Sequence, residues 1–87
     1  MTFIRNNNME YLEIDENSLV IYDETCGDTH YINETGKTIV ELLETATPKE
    51  DLIRLLCDIY SASTEEIEAD VDLFLDELIS KKVVVCL

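Results

Sequence analysis

The chain has 87 residues, of which 20 are acidic and six basic, for a net charge of −14. A chain of this size buries only about 60% of the surface its unfolded form exposes, which allows one modest core and excludes two independent domains. The charge argues against nucleic acid as a partner, because Lys and Arg neutralising phosphates drive that binding, and it disfavours anionic membranes; a neutral or cationic partner is the complement. The longest apolar runs, LVIY at 19–22 and VVVCL at 83–87, fall short of the roughly 20 residues of a bilayer-spanning helix. The first residues show no apolar stretch with a small-residue cleavage site, so a cytoplasmic address is expected. Cys26, Cys57 and Cys86 are widely spaced and form no CxxC pair, a pattern that fits reduced thiols better than a disulfide framework or a zinc site.

Residues 1–9 are polar, with three consecutive Asn, and are expected to form a flexible end. Residues 10–87 then make a single domain. The runs EYLEI (10–14), SLVIYD (18–23) and DTHYIN (28–33) are rich in β-branched and aromatic residues and predict three strands. The connections between them are short, so the strands must pair antiparallel. After Thr35 the period changes. Ile39, Leu42 and Leu43 fall three and four apart and predict a helix capped by Asn33 or Thr35. In the next helix Thr47 is a candidate cap, with Pro48 at the first helical position and Glu50 closing a capping box. Ser63 and Glu66 open the last helix, which runs through Ile67, Val71, Phe74, Leu75 and Leu78 to Lys81 and Lys82. VVVCL follows as a terminal extended segment.

The resulting fold class is α+β, a three-stranded antiparallel sheet followed by three helices, with the outline of a winged helix-turn-helix. Residues 64–77, where a recognition helix would lie, hold seven acids and no Lys or Arg, which argues against DNA. At about 100° per residue from Ile67, the flank near 240° to 300° gathers Glu66, Asp70, Leu73 and Glu77, with Phe74 at the core margin. The third strand, Asp28, Thr29, His30, Tyr31 and Ile32, sits at a sheet edge in a meander, where unpaired N–H and C=O groups can take an added strand. These two walls define a groove for apolar and basic side chains. No Gly-rich phosphate loop, HExxH or other catalytic spacing is present. Cys26 and His30 are near in sequence but lack an orienting third group, so neither catalysis nor a cofactor or metal is expected. An acidic interaction module that self-associates or binds a regulator is the alternative function.

Two stretches carry a family resemblance. YINETGKTIVELLE (31–44) resembles the strand-to-helix signature of the coenzyme PQQ synthesis protein D family, and IEADVDLFLDELISKKVVV (67–85) is similar to its closing helix; the likeness covers about residues 10–85. Where the family often ends that helix on glycine, this chain has Lys81 and Lys82. The resemblance implies a non-catalytic recognition element for ribosomally made, post-translationally modified peptides. Such an element binds a precursor's leader segment against the third strand and presents it to a separate modifying enzyme or leader peptidase. Carried over, the strand wall is Asp28 to Ile32, the helix wall is Asp70, Leu73, Phe74 and Glu77, and Asn33, Thr35 and Gly36 shape the corner. Lasso-peptide biosynthesis is one pathway of this type, and a monomer or weak homodimer is expected.

Overall fold

A computed structural model describes all of residues 1–87. Its elements are β1 (Thr2–Arg5), β2 (Glu10–Asp15), β3 (Ser18–Asp23), β4 (Asp28–Ile32), α1 (Glu34–Leu42), β5 (Thr47–Pro48), α2 (Lys49–Tyr60), α3 (Thr64–Ser80) and β6 (Val84–Cys86). The three expected strands are β2, β3 and β4, antiparallel in the order β2-β3-β4. Alternation sorts their side chains: Leu19, Ile21 and Ile32 are buried against the helices, while Leu12, Tyr22 and Tyr31 stand on the opposite face.

Residues 1–9, expected as a flexible end, are ordered differently. β1 is the middle strand of a second antiparallel sheet, β5-β1-β6, with Phe3 opposite both Thr47 and Cys86. Phe3 and Met9 are buried in the main core. The reason is non-local: each partner strand lies more than forty residues away in the chain, and local polarity says nothing about such pairing. The same sheet accounts for two further differences. Thr47 is committed to β5, and its Oγ1 donates to the Leu42 and Thr45 carbonyls. Pro48 is therefore the N-cap of α2, without a side-chain cap. VVVCL becomes β6 on this sheet and leaves β4 alone.

Asn33 caps α1, its side chain accepting from the Gly36 N–H at 3.0 Å. Ser63 caps α3 by accepting from the Glu66 N–H at 3.3 Å. Lys82 closes α3 in the left-handed region, φ 63°, and its N–H and that of Val83 satisfy the Ile79 and Leu78 carbonyls. A lysine thus performs the turn that glycine makes with less strain.

Lys37 is buried on α1, with its side chain 8% exposed. Its ammonium donates to Glu13 Oε1 at 2.8 Å and to the carbonyls of Asp15 and Glu16, tying the β2–β3 turn to α1. The hydrogen-bonded Glu13 carboxylate, helped by Glu41 and Asp15, raises the Lys37 pKa against the opposing effect of burial. A raised folded value means a contribution fully present below the unfolded lysine value of about 10.4 and lost only as pH rises through the folded one. Lys37→Met is expected to lower the melting temperature by roughly 5–10 °C. In urea melts the gap to wild type should stay constant from about pH 6 to 9 and narrow only in strongly alkaline solution.

Candidate functional site

β4 bonds to β3 along one side only, so its outer edge is open. α3 crosses beside that edge, and two clefts lie between them. The first, about 100 Å³, is lined by Tyr31, Ile32, Asn33, Gly36, Phe74, Glu77 and Leu78. The second, about 310 Å³, lies at the other end of β4 and includes Asp28, His30, Lys81 and Lys82. Beyond the end of β4 a third cleft of about 240 Å³ opens between α1, α2 and α3, apolar inside, with Glu66, Asp70 and Phe74 on its α3 side. Phe74 is shared by the first and third clefts, so these two form a trough along α3 from Leu78 to Glu66, and the second cleft, with Lys81 and Lys82, shares no lining residue with them.

The short corner between β4 and α1 sets this geometry. A Cβ on Gly36 would lie 2.5 Å from Ile32 Cγ2, closer than atoms can approach, so only glycine lets the first turn of α1 rest directly on β4. Asn33 fills the single residue between strand and helix and caps it. The strand therefore ends pressed against α1, with its free side facing α3.

Among the residues expected at the site, Tyr31, Ile32, Phe74 and Glu77 line one cleft, Asp28 and His30 the second, and Asp70 the third. Thr29 points with Tyr31 to the outer face of the sheet. Leu73 is 71% exposed and lines none of the three clefts; it stands on the outer rim, a turn from Asp70 and from Glu77. The Glu77 carboxylate accepts from Lys81 Nζ at 2.8 Å, whereas Glu66 and Asp70 have no ion pair and leave the negative end of the trough open. Sequence reasoning missed Leu78, Lys81 and Lys82 as lining residues. Helical spacing places Leu78 and Lys81 one turn beyond Phe74 and Glu77, which is the signal that finds them.

Cys26 and His30 line the same cleft without a hydrogen bond between them. The Cys26 thiol donates instead to Asp23 at 3.2 Å and Asp28 at 3.4 Å. The Asp28 backbone N–H favours the thiolate, but the Asp23 carboxylate, desolvation and the Asp28 carboxylate outweigh it, and the thiol is pushed up. That is the reverse of what an activated nucleophile needs. Asp23 is held below the ordinary carboxylate range by the Thr25 hydroxyl, then by the Cys26 thiol and the Thr25 N–H, with Lys82 adding to the effect. No cluster of three or more His, Cys, Asp or Glu could hold a metal ion, and no helix is long and apolar enough to cross a membrane.

An open strand edge beside a cleft-bearing helix is a geometry that an added strand completes. Residues 18–84 match coenzyme PQQ synthesis protein D (PqqD), and the chain belongs to that family. The solved structure of TbiB1 in complex with the TbiA(beta) leader peptide is similar, with a TM-score of 0.82 at 23% identity over 93% of each chain. That likeness establishes a shared fold. No curated protein matches the chain.

Proposed function

We propose that this chain binds the leader segment of a ribosomal precursor peptide as a fourth strand on β4 and presents it, without catalysis of its own, to a separate modifying enzyme or leader peptidase. The observation that carries the reading is the open outer edge of β4 beside α3, unclaimed by the terminal strand β6. Family membership supports it, as does the leader peptide bound by the structurally similar TbiB1. β2–β4 with the three helices is read as a winged helix-turn-helix in which residues 10–87 form the recognition domain and β1 braces it. A cytoplasmic monomer or weak dimer serving a lasso-peptide pathway fits this role.

In the bound state Asp28 to Ile32 supply backbone partners. Phe74 offers an apolar seat, Asp70 and Glu77 attract basic side chains, and Leu73 covers the peptide from the rim. Four to six added backbone bonds at about 1 kcal/mol net each, and two or three buried apolar side chains at about 2 kcal/mol each, leave micromolar or tighter affinity after association costs of several kcal/mol.

Calorimetric titration with synthetic leader peptides from neighbouring genes tests the reading, and absence of saturable binding by any of them overturns it. Asp70→Lys is expected to weaken a basic leader about tenfold at low salt, the loss shrinking as salt rises. Leu73→Arg should cost a few-fold at most by comparison, because Leu73 lies outside the clefts. A stable dimer that leader peptide cannot dissociate favours the self-associating acidic module instead.

A further inference from the structure

The β2-β3-β4 sheet has a second face, turned away from the helices. Register sets its side chains in two rows, Glu10–Tyr22–Thr29 and Leu12–Val20–Tyr31, with Ile14 beyond. Leu12, Ile14 and Tyr31 are each more than half exposed. Single surface apolars are ordinary, but these adjoin across three strands and leave roughly 400 Å² of apolar surface open.

Charge divides the two sides of the sheet at the Asp28 end of β4. On the helix side the second cleft presents the Lys81 and Lys82 ammonium groups. Its carboxylates are engaged: Asp23 accepts from the Thr25 hydroxyl and the Cys26 thiol, and Asp28 from that thiol. At the corner of the outer face Glu24 lies within hydrogen-bond reach of Glu10, and their contact and repulsion raise the Glu10 carboxyl. Neither forms an ion pair with Lys or Arg.

Three observations choose the occupant. A folded partner needs about 800 Å² on its side of a standard interface, about twice what this patch offers, whereas a few residues of extended chain cover it. A second copy of this chain would set its own Glu10 and Glu24, and a further −14, against this face; like charges oppose that. A strand added to β4 lies along the border of this face, beside Thr29 and Tyr31, so the residues that continue from it are held there at high effective concentration.

We propose that the outer face is a second contact for the precursor peptide itself: residues continuing past the Asp28 end of β4 turn over the sheet edge, set a Lys or Arg against Glu10 and Glu24, and lay apolar side chains along Tyr22, Val20, Leu12 and Ile14. The inference rests on the leader-binding reading above. Its consequence is a clamp. The precursor holds the sheet by an edge and a face, and a fragment cut back to the β4 strand keeps only the edge.

The test titrates the purified full chain with two synthetic peptides from the adjacent gene, the shortest leader fragment that saturates β4 and the full-length precursor. The precursor should bind wild type about tenfold more tightly than the fragment. Leu12→Lys with Ile14→Lys should remove that gain and leave fragment affinity within about twofold. Leu12→Thr with Ile14→Thr, which keeps strand-forming residues, should remove most of the gain and melt near wild type. Glu10→Lys should remove a smaller part, and only at low salt. Equal affinity for the two peptides in wild type, or a gain that survives in either double variant, overturns the proposal. So does a parallel loss of fragment affinity in both double variants, or a wild-type dimer that the Leu12→Thr, Ile14→Thr protein fails to form. If neither peptide binds wild type, the reading of β4 falls and this inference with it; if both bind equally, only the outer-face contact falls.

Discussion

A synthetic leader peptide N-methylated at alternate residues is expected to lose at least about tenfold in affinity, while methylation at the residues between leaves binding nearly intact. Every second N–H of an added strand points to the host edge and the others point away. Removing one inward donor deletes a bond worth about 1 kcal/mol net and also leaves a β4 carbonyl facing a methyl group, which adds steric and desolvation cost. The period of two is the diagnostic. A peptide held only by its side chains in the trough along α3 would respond according to which residues it seats, with no alternation along the backbone. Calorimetry on a methylation series measures this directly, and a flat profile would remove strand addition while sparing the trough.

Gly36→Ala is expected to lower stability by about 1–2 kcal/mol, or roughly 5–10 °C in melting temperature, although Ala is ordinarily the better helix former by about 1 kcal/mol. The sign follows from the 2.5 Å approach of the new Cβ to Ile32 Cγ2. Ile32 is only 5% exposed and β-branched, so its γ-methyl cannot swing clear. Relief must come from moving α1 off β4, and leader affinity should fall with stability because the strand edge moves too. Ile32→Ala removes the obstructing methyl, so the double variant should be less destabilised than the two single losses added together. A Gly36→Ala protein that melts like wild type would show that the corner has slack.

Much of the groove's framework is legible in the sequence because its signals are local. Strands β2, β3 and β4 alternate in pattern and are separated by turn formers, while Asn33 and Ser63 announce helix starts by chemistry that acts over three residues. What escapes is whatever depends on distant partners. β1 reads as a polar end because nothing near Thr2–Arg5 records that Thr47 and Val84 to Cys86 flank it. Thr47 resembles a cap until that pairing claims its backbone. Lys37 looks like a surface lysine on a short helix, yet its burial is decided by a hairpin turn more than twenty residues earlier. The case of Leu73 is subtler. The helical wheel correctly sets it on the flank of Asp70 and Glu77, but how deeply a flank residue sits depends on how far the neighbouring strand reaches, and β4 stops at the level of Phe74 and Leu78.

The two ends of the chain meet on the sheet that β4 does not belong to: the Leu87 N–H donates to the Thr2 carbonyl at 2.8 Å, and the Lys49 N–H to that of Met1. Start and finish are thereby neighbours. Another polypeptide can be spliced on at either side, or the termini joined and the chain reopened elsewhere, without burdening the border where a guest would lie.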